Sequence, residues 1–262
     1  MNNTGSIGIF DSGIGGTSIW REVKTLLPSE DTIYLADSKN APYGIKSKNE
    51  IIALSRKNTE KLLELGAKLI IVACNTATTN AITELRNEYN VPFIGIEPAI
   101  KPAALLSKTK NIGILATKGT LSSALFSKTS KDYTIGLQVT EVEGNGLVEL
   151  IESGRIESQE LYNLLQKLIS QFDKKNIDYL VLGCSHYPYL IPILQKLLPN
   201  TTIIDSGEAV ARQTKTILQK KKLFSTNTEL QQTSHLFFSN KSPEVLEYFI
   251  KAKKASIDYL DF

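Results

Sequence analysis

Short apolar runs alternate along this chain with longer stretches whose apolar residues recur at helical spacing. In the first part, Ser6–Phe10, Thr32–Ala36, Leu69–Ala73 and Phe93–Ile96 read as buried strands. Between them, Thr17–Leu27 reads as a helix ended by Pro28, and Lys48–Leu65 as one with Ile51, Leu54, Leu62 and Leu65 on one face and Gly66 as its stop. A third helix follows Cys74 and runs to about Asn87. Strand regularly followed by helix predicts α/β architecture with parallel sheets covered by helices.

The pattern then begins again. Strands are expected at Ile112–Ala116, Gln138–Val142, Tyr179–Leu182 and Thr202–Ile204, and helices at Leu147–Glu152, Gln159–Phe172 and Leu190–Leu198. The repetition extends to residue types. Ser6–Gly15 (SIGIFDSGIG) aligns with Asn111–Thr120 (NIGILATKGT), Leu69–Thr78 (LIIVACNTAT) with Tyr179–Pro188 (YLVLGCSHYP), and Asn90–Ala99 with Asn200–Ala209. Three collinear matches at nearly one spacing imply an internal duplication, too long in period for a solenoid. The expectation is two similar parallel-sheet domains with a cleft between them. The first comprises residues 1–97 plus a returning tail, 208–262, and the second residues 98–207. In the tail, a helix is expected at Ala209–Lys220, a strand at His235–Phe238 and a helix at Pro243–Ala252.

Composition narrows the function classes. The 262 residues are 42% hydrophobic and 22% charged, ordinary for a globular protein with a substantial core. A net charge of +3 suits an anionic small molecule and lacks the dense basic stripe of a nucleic-acid binder; Lys220–Lys222 reads as a solvated helix end. The first ten residues have neither the basic nor the apolar segment of a signal peptide. No run approaches the roughly 18 apolar residues of a membrane span, so no membrane partner and a cytoplasmic location are expected. Thiols stay reduced there, and two cysteines without C-x-x-C spacing, with two histidines, make a poor metal site.

Those two cysteines, Cys74 and Cys184, end equivalent strands of the repeat. A lone cysteine in such a place is ordinarily a small buried hydrophobe. Here each is followed by polar residues, Asn75 and Thr76 after one, Ser185 and His186 after the other, and polar groups beyond a buried strand are costly unless they find partners or a ligand. Ligands bind at the carboxyl ends of strands in open parallel sheets, where Asp11, Cys74, Thr117 and Cys184 all lie. Two thiols facing one carbon from opposite sides suit inversion of a stereocentre: a thiolate removes a proton from one face and a thiol returns one to the other. Each cysteine also precedes an expected helix, whose N-terminal N–H groups favour a thiolate or an anionic substrate.

Four motifs carry a resemblance: GIFDSGIGG (Gly8–Gly16), APYG (Ala41–Gly44), ACNTA (Ala73–Ala77) and GCSHYP (Gly183–Pro188). Through them the chain resembles the glutamate racemases of the cofactor-independent aspartate/glutamate racemase superfamily. The resemblance implies interconversion of L- and D-glutamate without cofactor or metal, for cell-wall peptidoglycan. It also implies acid/base roles for Cys74, on the D-enantiomer's proton, and Cys184, on the L-enantiomer's. Asp11, Ser12, Tyr43, Gly44, Asn75, Thr76, Ser185 and His186 match substrate-binding positions; the family usually has threonine at Ser185. Asp11, Glu152 and His186 stand where assisting residues are expected, although Glu143 and Glu149 lie close enough in sequence to compete with Glu152. Thr117 and Thr120, opposite Ser12 and Gly15 in the repeat, are candidates to hold a substrate carboxylate. His235 has no motif around it and reads as structural or surface.

Other chemistries find less support. Gly13, Gly15 and Gly16 form half of a dinucleotide fingerprint, but Ser18 replaces its last glycine, and no P-loop follows. Lys46 or Lys48 could be named as a Schiff-base lysine, with nothing else pointing to pyridoxal phosphate. Aspartate racemase, or another two-cysteine isomerase, is the nearest alternative activity, and a non-catalytic anion-binding or thiol redox module the alternative class. By resemblance a homodimer is one expected assembly, and the short segment before the first strand argues against control through an N-terminal extension.

Overall fold

The computed structural model describes residues 5–226, 233–250 and 255–262. The first sheet is built from β1 (Ser6–Asp11), β2 (Thr32–Ala36), β3 (Ala67–Val72) and β4 (Phe93–Gly95), joined by α1 (Thr17–Leu26), α2 (Lys48–Glu64) and α3 (Asn75–Glu88). The second contains β5 (Asn111–Ala116), β6 (Gln138–Glu143), β7 (Tyr179–Gly183) and β8 (Thr202–Ile204). Their orders are β2-β1-β3-β4 and β6-β5-β7-β8, the same winding twice, with all paired strands parallel. The sequence repeat is therefore also a repeat of topology.

Parallel strands covered on both faces must be apolar at nearly every position. In β1, Ile7 and Ile9 face a core that includes Ile19, Trp20 and Val23 of α1, whereas Phe10 faces one that includes Ile51 and Leu62 of α2. All eight are nearly inaccessible or wholly so, each side chain contributing about 1.5–3 kcal/mol by leaving water. Helix α2 begins with a reciprocal cap between Ser47 and Glu50, one source of its sharp start.

After β8, α10 (Gly207–Lys221) packs back against α1, and β9 (His235–Ser239) and β10 (Ala255–Tyr259) extend the first sheet beyond β2. In the second half, α4 (Ile100–Leu106), α5 (Lys118–Leu121) and α6 (Ala124–Tyr133) precede β6, α7 (Leu147–Glu152) and α8 (Gln159–Ile169) lie between β6 and β7, and α9 (Ile191–Leu197) and α11 (Pro243–Phe249) complete the helices described.

Several elements differ from their sequence expectation. Helices α4, α5 and α6 and strand β10 were not expected. Pro102 reads as a breaker but sits in the first turn of α4, where its missing N–H costs little. Helix α6 buries only Phe126, so no apolar stripe announces it. Strand β10 is an edge strand with little buried, specified by pairing with β9. The expected helix Leu190–Leu198 is a 3-10 turn at Tyr187–Leu190 followed by α9. The expected end of the last helix, at Ala252, lies outside the described residues. His235 is buried, its Nδ1 2.9 Å from Thr32 Oγ1 and its ring edge-on to Trp20, a structural rather than surface histidine.

Candidate active site

The carboxyl ends of the two sheets meet at one cavity. From the first sheet it is lined by Ser12 after β1, by Pro42, Tyr43 and Gly44 of the loop after β2, and by Cys74, Asn75 and Thr76 where β3 passes into α3. From the second come Thr117 after β5, Val148 on α7, and Cys184, Ser185 and His186 after β7. Both thiols are free and both line this space. It amounts to about 10 Å³, roughly room for one water. A wider hollow of about 340 Å³ adjoins it, sharing Pro42 and Val148 and bounded also by Ser38, Glu149, Glu152 and Lys241.

Cys74 is the N-cap of α3, its Sγ accepting from Ala77 N at 3.4 Å and lying 3.7 Å from Ser12 Oγ. A helix N-terminus was expected to favour the thiolate. Instead burial, reinforced by the Asp11 carboxylate, pushes the Cys74 thiol well above its ordinary range, and the single Ala77 N–H does not offset them. Cys184 has a different setting. The turn after it is 3-10 and is capped by His186, so Cys184 occupies no helix N-terminus. Its Sγ lies 3.7 Å from His186 Nδ1.

His186 is buried, and burial alone would push its imidazole down. Its hydrogen bonds to Cys184 and Glu152 outweigh this and hold it well above the usual histidine value. Its Nε2 is 2.5 Å from Glu152 Oε1. Glu152, the last residue of α7, also accepts from Ile14 N at 2.7 Å and from Ser38 Oγ at 3.0 Å. Of the three competing glutamates, Glu152 alone makes this contact; Glu149 is exposed on the outer hollow and Glu143 ends β6. Gly13 and Gly15 are where they are because these groups come so close. A Cβ on Gly13 would sit 1.9 Å from Glu152 Oε1, and one on Gly15 2.3 Å from His186 Nδ1.

Asp11 is fully buried behind the cavity. Its Oδ2 accepts from Gly16 N at 2.9 Å and its Oδ1 from Ser185 Oγ at 3.1 Å. Burial raises its carboxyl, with His186 acting against that. The thiols thus differ in surroundings: an acidic group stands beside Cys74 and a protonated imidazole beside Cys184.

Across the cavity, Thr76 Oγ1 lies 2.8 Å from Thr117 Oγ1 and 3.3 Å from Thr120 Oγ1, with 3.1 Å between the last two. Thr117 also caps α5, and Thr120 sits fully buried behind the pair. Asn75 is the informative neighbour: both polar atoms of its amide are buried and have no hydrogen-bond partner. Buried polar groups are almost always satisfied, so an amide left open on a cavity wall has both a donor and an acceptor to offer whatever enters. Tyr43, by contrast, spends its hydroxyl internally, donating to Asp37 Oδ2 at 2.5 Å and accepting from Asn58 Nδ2 at 3.1 Å. Its contribution to the wall is its ring and backbone.

Every expected site residue thus lies in or directly behind one constellation. Sequence reasoning missed Ser38, Ile14 N, Asp37 and Val148. Of these only Asp37 and Ser38 carried a signal, as polar residues directly after a buried strand. Among the described residues, no group of three or more His, Cys, Asp or Glu side chains could hold a metal ion.

The family described as Asp/Glu/Hydantoin racemase matches residues 15–214. A glutamate racemase from Herpetosiphon aurantiacus is 44% identical over 223 residues, 85% of this chain and 88% of that protein. Among solved structures, a glutamate racemase isoform from Bacillus anthracis superposes with a TM-score of 0.86 at 29% identity, over 99% of this chain and 98% of that one. The Francisella tularensis glutamate racemase, crystallised with D-glutamate, gives 0.82 at 27% identity, over 98% of each chain.

Proposed function

We propose that this chain, which belongs to the Asp/Glu/Hydantoin racemase family, is a glutamate racemase working by two-thiol proton transfer. The observation that carries the reading is the placement of Cys74 and Cys184 on the walls of one cavity, which the unpartnered Asn75 also lines. The Cys74 thiolate takes the α-proton of D-glutamate, the Cα–H pair remains as a carbanion, and the Cys184 thiol protonates the opposite face. L-glutamate runs the same steps in reverse, so each turnover leaves the thiols with their protonation exchanged.

The charges at the site suit these roles. The protonated His186, held by Glu152, faces the Cys184 sulfur, while Cys74 is kept as a thiol until substrate arrives. The Thr76–Thr117 hydroxyls and the Asn75 amide are donors for the substrate carboxylates. Since the space between the thiols is about that of one water, a dicarboxylate enters when the two sheets part, and closure expels water from around the reacting carbon. D-glutamate made in the cytoplasm would supply peptidoglycan synthesis.

The deciding experiment is incubation of L- or D-glutamate with the protein in deuterated water, following the α-proton and the optical rotation. Interconversion with deuterium entering at Cα is expected, and Cys74→Ser and Cys184→Ser should each abolish it. Absence of both exchange and interconversion in the unaltered protein would overturn the assignment, and faster turnover of aspartate would overturn the choice of substrate.

A further inference from the structure

The loop after β2 brings Pro42, Tyr43 and Gly44 to the cavity wall, yet its only regular structure is the 3-10 turn Tyr43–Ile45. Backbone bonds from Asp37 N to Asp11 O, Asn40 N to Asp37 O and Ala41 N to Ser38 O hold parts of the eight residues from Asp37 to Gly44, and side chains supply the rest of the restraint against the entropy of a free loop. Asp37 is the hub. Its Oδ2 receives the Tyr43 hydroxyl, and its Oδ1 receives Asn40 Nδ2 at 2.7 Å and Asn240 Nδ2 at 2.5 Å.

Asn240 arrives from the far end of the chain, immediately after β9, and is buried. Besides gripping Asp37, it accepts from Lys39 N at 2.9 Å through its Oδ1, and its own N–H reaches Ala36 O at 3.4 Å. One side chain thus ties the loop's carboxylate and its backbone to a strand that belongs to the tail. Among the described residues the second sheet has no strand in the position of β9, and the tether has no counterpart in the other half of the repeat.

We propose that Asn240 is a positioning residue for the substrate loop, its amide holding Asp37 and Lys39 so that Tyr43 and Gly44 are presented at the cavity wall. The inference rests on the reading of that wall as the glutamate site. It acts in two linked steps. The Asn240 donor helps stabilise a buried carboxylate, whose burial otherwise raises its proton affinity, and that carboxylate orients the Tyr43 phenol. Without the donor, Asp37 gains by turning toward water, and Tyr43 loses its anchor.

The test compares Asn240→Ala, Tyr43→Phe and the double variant by glutamate racemisation and by hydrogen–deuterium exchange of the free protein. Asn240→Ala should raise KM about tenfold with kcat within about threefold, because the loop binds substrate rather than moving protons. The amides of residues 38–46 should exchange about tenfold faster than in the unaltered protein, while those of β1 and β3 keep their rates. The double variant should be no worse than the poorer single variant, since both changes cut the same chain of contacts. Additive KM effects, or unchanged exchange over residues 38–46, would overturn the proposal. Should the alanine variant fail to fold, Asn240→Asp removes the donor with almost no change in shape and faces the same three readouts. If the unaltered protein does not racemise glutamate, the functional assignment fails, and the exchange comparison still decides whether Asn240 holds the loop.

Discussion

His186 Nε2 lies 2.5 Å from Glu152 Oε1, joining the loop after β7 to the end of α7 directly behind Cys184. A carboxylate this close to a buried imidazole keeps it charged, and the charge faces the sulfur. The pair therefore links the stability of the fold to the protonation of the site.

The sign of that linkage follows from the direction of the His186 shift. Its folded-state value is raised above the ordinary 6.5, so the pair's stabilisation is fully present below that pH and is lost as pH rises through the raised value. Glu152→Gln should cost roughly 2 kcal/mol in urea unfolding at pH 6, breaking a largely buried pair, and progressively less at alkaline pH. A cost independent of pH would show that His186 is neutral in the folded protein.

Glu152→Gln should also lower kcat/KM, roughly 10- to 100-fold, and by the same factor in both directions because the enantiomers are equal in free energy. The asymmetry appears in isotope effects: with α-deuterated substrate, the effect should grow for L-glutamate, whose proton goes to Cys184 in the proposed mechanism, and shrink for D-glutamate. Gly13→Ala should reproduce this defect without changing any charged residue, since its Cβ would occupy the place of Glu152 Oε1. Normal kinetics in Gly13→Ala would show that Glu152 can leave His186 at no cost.

Cys74 should behave as a reluctant thiol in the free protein. In a Cys184→Ser background, its alkylation rate should still be climbing above pH 9, because burial and the Asp11 charge both disfavour the thiolate. Adding Asp11→Asn removes the second cause and should move the rise to lower pH. Iodoacetamide labelling read by mass spectrometry across a pH series checks both; a plateau below pH 8 would contradict them.

Asn75 should separate stability from function. Its amide is buried with neither polar atom partnered, so Asn75→Ala removes an unsatisfied group and should leave stability unchanged or higher by about 1 kcal/mol. The same change should raise KM for glutamate about tenfold or more, as a lost ligand contact does. Racemisation kinetics and urea unfolding on one preparation test the pair of outcomes, and a destabilised variant with normal KM would make Asn75 a structural residue.

Much of this protein is decided locally. Apolar runs of strand length, helical spacing between them and stop signals such as Gly66 determined most elements, because burial on both faces of a parallel sheet constrains nearly every strand residue. The repeated blocks by themselves put Cys74 and Cys184 at equivalent strand ends. Weakly buried elements escaped for the complementary reason: α6 and β10 contribute little to the core, so hydrophobic pattern carries no record of them. The company each thiol keeps is set by packing between distant parts of the chain. Spacing cannot choose among Glu143, Glu149 and Glu152; the approach of α7 to the loop after β7 does. Nor does a helix N-terminus read from sequence reveal the burial and the neighbouring Asp11 carboxylate that outweigh it at Cys74. The Asn240 tether lies furthest from the chain's local code, joining residues near opposite ends of the sequence through a strand that pairs with β2.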